Sequence, residues 1–275
     1  GEILRFTTGI DVVRSGGFGG QTSIFTRGTN SQHTLVLIDG VKINAATSSQ
    51  ANIQHLTLGD IERVEIVKGA MSTLYGSEAI GGVINIITKK AKTTALQGNL
   101  TIGTDKLAQG YLQQSFSQGA VSGLLNLSSA YTNGYEIIDN SIVDRGYKNK
   151  GANLKLAYDL GQSKIDFSIR NNQGTTEYLN SVYDFSTFTI KGFTPVSQDF
   201  TNQIISLNVD SQIGSMLSSQ LKLSEMRDEI DQNQSSNKSH TKQQQVDWQN
   251  TLVVNADDTL ILGVTLTDTE AEYNK

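Results

Sequence analysis

From residue 95 to the end of the chain, apolar and polar residues alternate singly, segment after segment. Leu154, Leu156, Tyr158 and Leu160 alternate with Asn153, Lys155, Ala157 and Asp159. Ile165, Phe167 and Ile169 alternate with Lys164, Asp166, Ser168 and Arg170, and Ile205, Leu207 and Val209 with Ser206, Asn208 and Asp210. Leu217, Leu221 and Leu223, then Leu260, Leu262, Val264 and Leu266, continue the series. A period of two puts successive side chains on opposite faces of an extended chain, so each segment reads as a strand with one apolar and one polar face. About nine such strands fit between residues 95 and 275. Short connections at Gly161-Gln162, Gly214-Ser215 and residues 256–258 take turns with long polar ones at 133–150, 173–199 and 228–242. Short turns at one end and long loops at the other are the pattern of a transmembrane barrel. A soluble sandwich gives the same alternation, but its strands average about 5–6 residues, and several here run to about ten or more. Both readings stand at this level, with the barrel favoured.

Composition removes other classes. The chain has 275 residues with 22 Lys and Arg against 27 Asp and Glu, a formal net charge of -5. A sequence-independent nucleic-acid binder needs the opposite, a clustered basic surface. No Cys is present, which excludes disulfide frameworks, thiolate metal sites and Cys nucleophiles. No apolar run approaches the roughly 18 residues of a membrane helix; the longest are short, such as Leu35-Val36-Leu37-Ile38. The start, Gly1-Glu2-Ile3-Leu4-Arg5, has no basic leader followed by an apolar stretch. The mean hydropathy of -0.28 suits a barrel, whose lipid-facing residues are diluted by lumenal ones. On that reading Leu154, Leu156, Tyr158, Ile165, Phe167, Ile169, Leu207 and Val209 face lipid, and Lys155, Asp166, Arg170 and Asp210 face the lumen.

Residues 1–92 follow a different grammar. Short β-branched runs at 23–26, 35–38, 61–67 and 83–88 are bounded by glycines and read as strands buried on both faces. Asp39-Gly40 between two of them is a two-residue hairpin signal. Residues 15–20 and 45–51 read as mobile loops, and helical pieces are expected only at 1–7 and as a turn around 53–58. Catalytic signatures are missing. His33, His55 and His240 have no metal-ligand spacing, Gly17-Phe18-Gly19 lacks the third glycine of a dinucleotide fingerprint, and there is no nucleophile elbow or Walker motif. An enzyme is the least supported class.

The strings IFTRGTNSQHTLVLIDGVKIN and IERVEIVKGAMSTLYGSEAIGGVINIITKK resemble the plug domain of TonB-dependent outer-membrane receptors, and within them the cobalamin receptors. The likeness covers the first third of the chain and continues weakly through residues 131–153. It implies a mixed α/β plug (residues 1–92) inside an antiparallel transmembrane β-barrel (residues 93–275), with about nine strands present of an expected 22. It also implies import of a scarce large ligand, cobalamin first, with a ferric siderophore, haem or oligosaccharide as alternatives. The energy would come from the TonB–ExbB–ExbD complex, and the place would be the outer membrane, against its lipid. A passive porin and a soluble binding module are the contrasting classes. The sequence departs from the family at Ala70, where Pro usually follows Lys68-Gly69. The chain begins inside the plug and stops after nine strands, so a signal peptide, a TonB-contacting segment and about 13 strands are expected beyond it.

The resemblance assigns residue roles. Ligand binding falls to the loops 14–22 and 45–52, at Ser15, Phe18, Gln21, Ser23, Asn30, Ser48 and Ser49, where glycines allow close approach and polar side chains hydrogen-bond the ligand. Gln21 and Ser48 stand where cobalamin receptors often carry apolar residues. Arg27 and Lys68 take the positions of a lock between plug and barrel glutamates, the glutamates being expected in the further C-terminal strands, although Arg27 is equally placed as a solvated strand-end cation. Glu136, Asp139 and Asp144, with Asp184 nearby, lie where cobalamin receptors bind calcium; Val143 and Arg145 fall where further acids belong. No other cofactor is expected.

Overall fold

The computed structural model describes residues 7–71, 76, 78–135 and 145–274. Its N-terminal unit starts with β1 (Ile10–Arg14) paired antiparallel to β2 (Thr22–Thr26). A four-stranded sheet follows in the order β4–β3–β6–β5, from β3 (Thr34–Ile38), β4 (Val41–Lys42), β5 (Ile61–Lys68) and β6 (Gly82–Thr88). β3 and β6 run parallel in the middle. All five residues of β3 are buried, as an unbroken apolar run requires. One face of the sheet packs Val36, Ile38, Ile84 and Ile86 with Ile10 and Ile24, and the other packs Leu35 and Leu37 with Val83 and Ala79. Each such aliphatic side chain contributes about 1.5–3 kcal/mol on burial. β3 and β4 are joined by Asp39-Gly40 with φ of 50° and 81°, the left-handed pair of a type I′ turn.

Two features differ from the sequence reading. β1 was not marked by it, because IDVVR is short and acquires its partner only from β2 across a loop. The mixed α/β expectation also changes: among the described residues the unit has strands and three-residue 3-10 turns at Ser31–His33, Ile53–His55 and Leu58–Asp60, and no α-helix. Its connections are too rich in Gly, Ser and Thr to propagate a helix past one turn. The helix expected over residues 1–7 falls almost wholly outside the described residues.

The rest of the chain is one nine-stranded antiparallel meander. Its strands are β7 (Ala95–Ile102), β8 (Ala108–Gln118), β9 (Val121–Thr132), β10 (Tyr147–Asp159), β11 (Ser163–Asp184), β12 (Thr189–Ile213), β13 (Leu217–Gln232), β14 (Lys238–Val253) and β15 (Thr259–Asn274). β7 and β15 are its two edges, so the sheet is open. The register aligns Leu156 with Phe167, Phe167 with Leu207, Leu207 with Leu223 and Leu223 with Val246, one outward apolar row across five strands. The alternate row, with Lys155, Asp166, Arg170 and Asp210, faces the N-terminal unit, as the alternation predicts.

The long polar connections need correcting. Residues 173–199 and 228–242 are strands, not loops: β11 and β12 stay paired to a tight turn at residues 185–188, and β13 and β14 to one at 233–237. Polar residues on both faces erase the hydrophobic alternation, while Thr175, Thr176, Tyr178, Val182, Tyr183 and Val196 keep a strong strand preference.

Candidate functional site

The two loops named from the sequence are brought together at one end of the N-terminal unit. Loop 14–22 closes on itself through Ser15 N to Gln21 O at 2.9 Å. Gly19, at φ 72°, lies under the ring of Tyr147 where a Cβ has no room, so only glycine fits. Loop 45–52 is fixed from below by Asn44, which accepts from Val36 N at 2.9 Å and donates to Thr34 O and Ser49 O. Gln21 donates to Gln50 Oε1 at 2.9 Å and Ser23 to the same oxygen at 3.4 Å, which ties the loops into one polar surface. Ser48 belongs to it too: its carbonyl takes Gln32 Nε2 at 3.2 Å and its hydroxyl takes Gln50 N at 3.3 Å. Ser49 adopts φ 57° at the turn. Asn30 is exposed and opens the Ser31–His33 turn next to Gln32. Ser15 is exposed at the base of loop 14–22, opposite Gln21, and Phe18 lies beneath the Arg14 guanidinium at 5.9 Å. Arg14 and Phe18 line a cavity of about 400 Å³ shared with Gln54, Gln109 and Tyr111.

The same unit is seated on the wall at three heights. Near the loops, Ala46 N donates to Thr241 and Ser239 to Thr47 (2.8 Å), while Asn52 gives its amide to both oxygens of Asp228. His55 is stacked on Phe200 with centroids 3.5 Å apart, hydrogen-bonded to the Tyr147 hydroxyl at 3.2 Å, and its carbonyl takes Asn149. Burial pushes the His55 imidazole down to about 3, so it is neutral. In the middle, Asp60 pairs with Arg170 and accepts from Asn153 at 2.8 Å. At the opposite end Asp39 meets Lys155 at 2.8 Å, and its carbonyl takes Lys222 at 2.9 Å. Burial alone would raise the Asp39 carboxyl; the Lys155 charge and hydrogen bonds from Lys155 and Thr88 bring it net below its ordinary value.

The glutamates expected for the two lock positions belong to further wall strands, so the described contacts do not test the lock. Arg27 is exposed at φ 51°, and Lys68 donates to the Thr8 carbonyl; among the described residues neither is paired with a carboxylate. At Asp39 and Asp60 the sign is the reverse, with the acid on the unit and the base on the strand, while Lys90 meets the wall's Asp166 at 3.5 Å. Asn52, His55 and Asp60 carry no motif of their own, and Asp39 is marked in the sequence only as part of a hairpin turn. The available signal was on the wall, where Lys155, Arg170, Lys222 and Asp228 occupy inward positions of a period-two pattern and must have partners. Glu136, Asp139 and Asp144 lie outside the described residues. Asp184 is held by Ser186 and Lys191, and among the described residues no three metal-ligating side chains converge.

An outward apolar row, an inward polar row and a folded unit seated on the inward row define the wall of a plugged transmembrane β-barrel. Residues 1–83 match the TonB-dependent Receptor Plug Domain family. The chain is similar to the vitamin B12 transporter BtuB of Vibrio cholerae, 32% identical over 208 residues, covering 69% of this chain and 34% of that protein. It is 36% identical over 188 residues to BtuB of Vibrio vulnificus, covering 64% and 30%. In fold it resembles the FrpB iron transporter of Neisseria meningitidis, with a TM-score of 0.80 at 14% identity, covering 99% of this chain and 46% of that one. The chain belongs to the TonB-dependent receptors, proteins of the Gram-negative outer membrane. It spans about a third of the length of the curated relatives it matches.

Proposed function

We propose that the chain is the plug (residues 1–92) and adjoining wall (93–275) of a receptor that binds a scarce large ligand, cobalamin in the first instance, on its extracellular face and imports it to the periplasm. The energy is supplied through the TonB–ExbB–ExbD complex. The observation that carries this reading is the polar surface made by loops 14–22 and 45–52, joined through Gln21 and Gln50 at the end of the plug nearest the long hairpins. Its exposed Gln21 and Ser48 with half-buried Ser23 and Ser49 suit a ligand with many hydrogen-bonding groups. A ferric siderophore is the second reading, favoured by Arg14, which offers a cation to an anionic ligand at the rim of the cavity holding Phe18.

Calorimetry on the intact receptor with cobalamin, haem and a set of ferric siderophores tests both readings. Cobalamin alone should give a saturable isotherm; heat from a ferric siderophore instead transfers the assignment to the second reading, and silence from all of them defeats both. Calcium at Glu136, Asp139 and Asp144 belongs to the same proposal. A chelator in the cell should then lower the affinity about tenfold or more, by freeing the loop that calcium orders.

A further inference from the structure

The Asp39-Gly40 hairpin lies at the end of the plug remote from the ligand loops: Lys155 and Lys222 sit near the short-turn ends of β10 and β13, whereas Asp228 and Ser239 sit near the opposite ends of β13 and β14. The hairpin is held by hydrogen bonds on both sides. Within the plug, the Asp39 carboxylate accepts from Thr88 N at 2.9 Å and Thr88 Oγ1 at 2.7 Å, and Gly40 N donates to Asn85 at 3.1 Å. From the wall, Lys155 comes to the carboxylate and also to Thr88 O at 3.2 Å, and Lys222 comes to the Asp39 carbonyl. Two lysines from strands separated by β11 and β12 therefore converge on one plug residue.

The surroundings distinguish this seat from the one at Asp60. Asp60 and Arg170 are 2% and 8% exposed, and parting them would strand both charges in a dry contact. Asp39 and Lys155 are 24% and 12% exposed and border a cavity of about 560 Å³. Asp166, Asp210 and Lys164 also line that cavity, while Asp166, Asn208, Lys222 and Asp247 lie level with one another across four strands. Once the hairpin leaves, Lys222 has the wall carboxylates Asp247 and Asp210 to turn to, Lys155 has the water of the cavity, and Asp39 keeps Thr88. The pair at Asp60 is built to stay and the pair at Asp39 to be broken and re-made.

We propose that the Asp39-Gly40 hairpin is the periplasm-side gate of the lumen: it leaves Lys155 and Lys222 while the Asp60–Arg170 seat holds, and the cavity beside it becomes the passage along β10–β13 by which the ligand exits. This rests on the import reading, so its first test needs neither ligand nor TonB. In proteoliposomes of the intact receptor, the Lys155→Met and Lys222→Met double variant should raise leakage of an uncharged oligosaccharide about tenfold, as expected for shifting a two-state gate towards open. Lys155→Arg should stay as tight as wild type. Leakage equal to wild type from the double variant overturns the gate, even if import itself is established. The second test uses Asp39→Cys with Lys155→Cys, bridged by a short thiol-cleavable bismaleimide. Ligand affinity should stay within about twofold, uptake by cells should fall at least about tenfold, and cleavage of the bridge should restore it. Wild-type uptake through the bridged receptor overturns the proposal. Absence of uptake in the wild type itself counts against the import reading, and the leakage result then decides the gate alone.

Discussion

His55 is 1% exposed and lies between a phenylalanine of the wall and a tyrosine hydroxyl, an environment that admits the imidazole only without its proton. If the plug leaves the wall the ring returns to water and to an ordinary value near 6.5, against about 3 when seated. The unseated state then binds more protons between those values, so seating is at full strength above about pH 6.5 and weakens as pH falls below it. The share carried by His55 should be about 1.4 kcal/mol at about pH 5.5, read as the difference between wild type and His55→Phe in urea-induced plug release from the intact barrel. Asp39 does not confuse this window: its lowered carboxyl contributes above its ordinary value, and that contribution is lost only below about pH 4. Asp60 makes a different demand. Because its partner Arg170 is 8% exposed, Asp60→Ala leaves an unpaired buried guanidinium and should cost about 3–5 kcal/mol in the same assay. Asp60→Ala combined with Arg170→Met should cost clearly less, since no charge is stranded.

At the scale of elements, the β11–β12 hairpin is the part of the wall least like its sequence reading. β10 reaches only to Thr176 and β13 only to Gln198, and Glu177 and Ser197 still bond Gly146 and Asn233, so among the described residues the backbone of 178–196 pairs with itself alone, as a two-stranded ribbon. Two strands by themselves are marginal in water. The ribbon carries Phe185 and Phe188 at 83% and 88% exposure, and the chain's one proline, Pro195, sits where a missing ladder donor costs little. Excising residues 180–194 and closing the ends with Asn-Gly should leave the heat-modifiable migration and thermal midpoint of the intact barrel unchanged, and amides 179–195 of the unaltered receptor, Pro195 apart, should exchange within the earliest hydrogen-exchange times. The ribbon also shows why part of the fold was legible and part was not. Where one face meets lipid, as at Leu154–Leu156 or Ile205–Val209, alternation fixes both strand and side, because the two faces have different solvents. Above the membrane both faces of Thr175–Tyr178 meet water or polar partners, the contrast vanishes, and strand looks like loop. Within the plug, the Asp39-Gly40 turn was readable because left-handed φ selects its residues locally, whereas β1 exists only through its partner. That 14–22 and 45–52 are loops was readable from glycine and polar content, but the seats were not, since Asp60 has no distinguishing neighbour in the sequence and meets Arg170 only in the fold.

At the scale of the whole molecule, the charged seats at Asp39 and Asp60 lie on other levels of the plug than the loop surface, whereas the contacts of Ala46, Thr47 and Asn52 belong to loop 45–52 itself; loop surface and charged seats should fail separately. The acids Asp39 and Asp60 face strands β10–β13, while Arg27 and Lys68 point to carboxylates on neither. The family resemblance implies glutamate partners for them on further wall strands of the longer receptor. Arg27→Ala with Lys68→Ala should then hasten urea-induced plug release in the intact receptor with no change in ligand affinity. The loop surface should show the converse. Asn30, Ser48 and Ser49 are exposed or half-buried and, among the described residues, hydrogen-bond no wall strand, so replacing all three by Ala should remove only the proposed hydrogen bonds to the ligand, worth about 0.5–1.5 kcal/mol each. Ser48 also accepts from Gln50 N, so its loss loosens the turn that presents Gln50 to Gln21 and Ser23, which places Ser48 at the upper end of that range. Independent contributions make the triple variant about tenfold to a thousandfold weaker by calorimetry, with plug release in urea as in wild type. If every candidate ligand binds the triple variant like wild type, ligand recognition lies on another surface of the receptor; if plug release changes as well, loop and seat are one cooperative unit, and the separation by level fails.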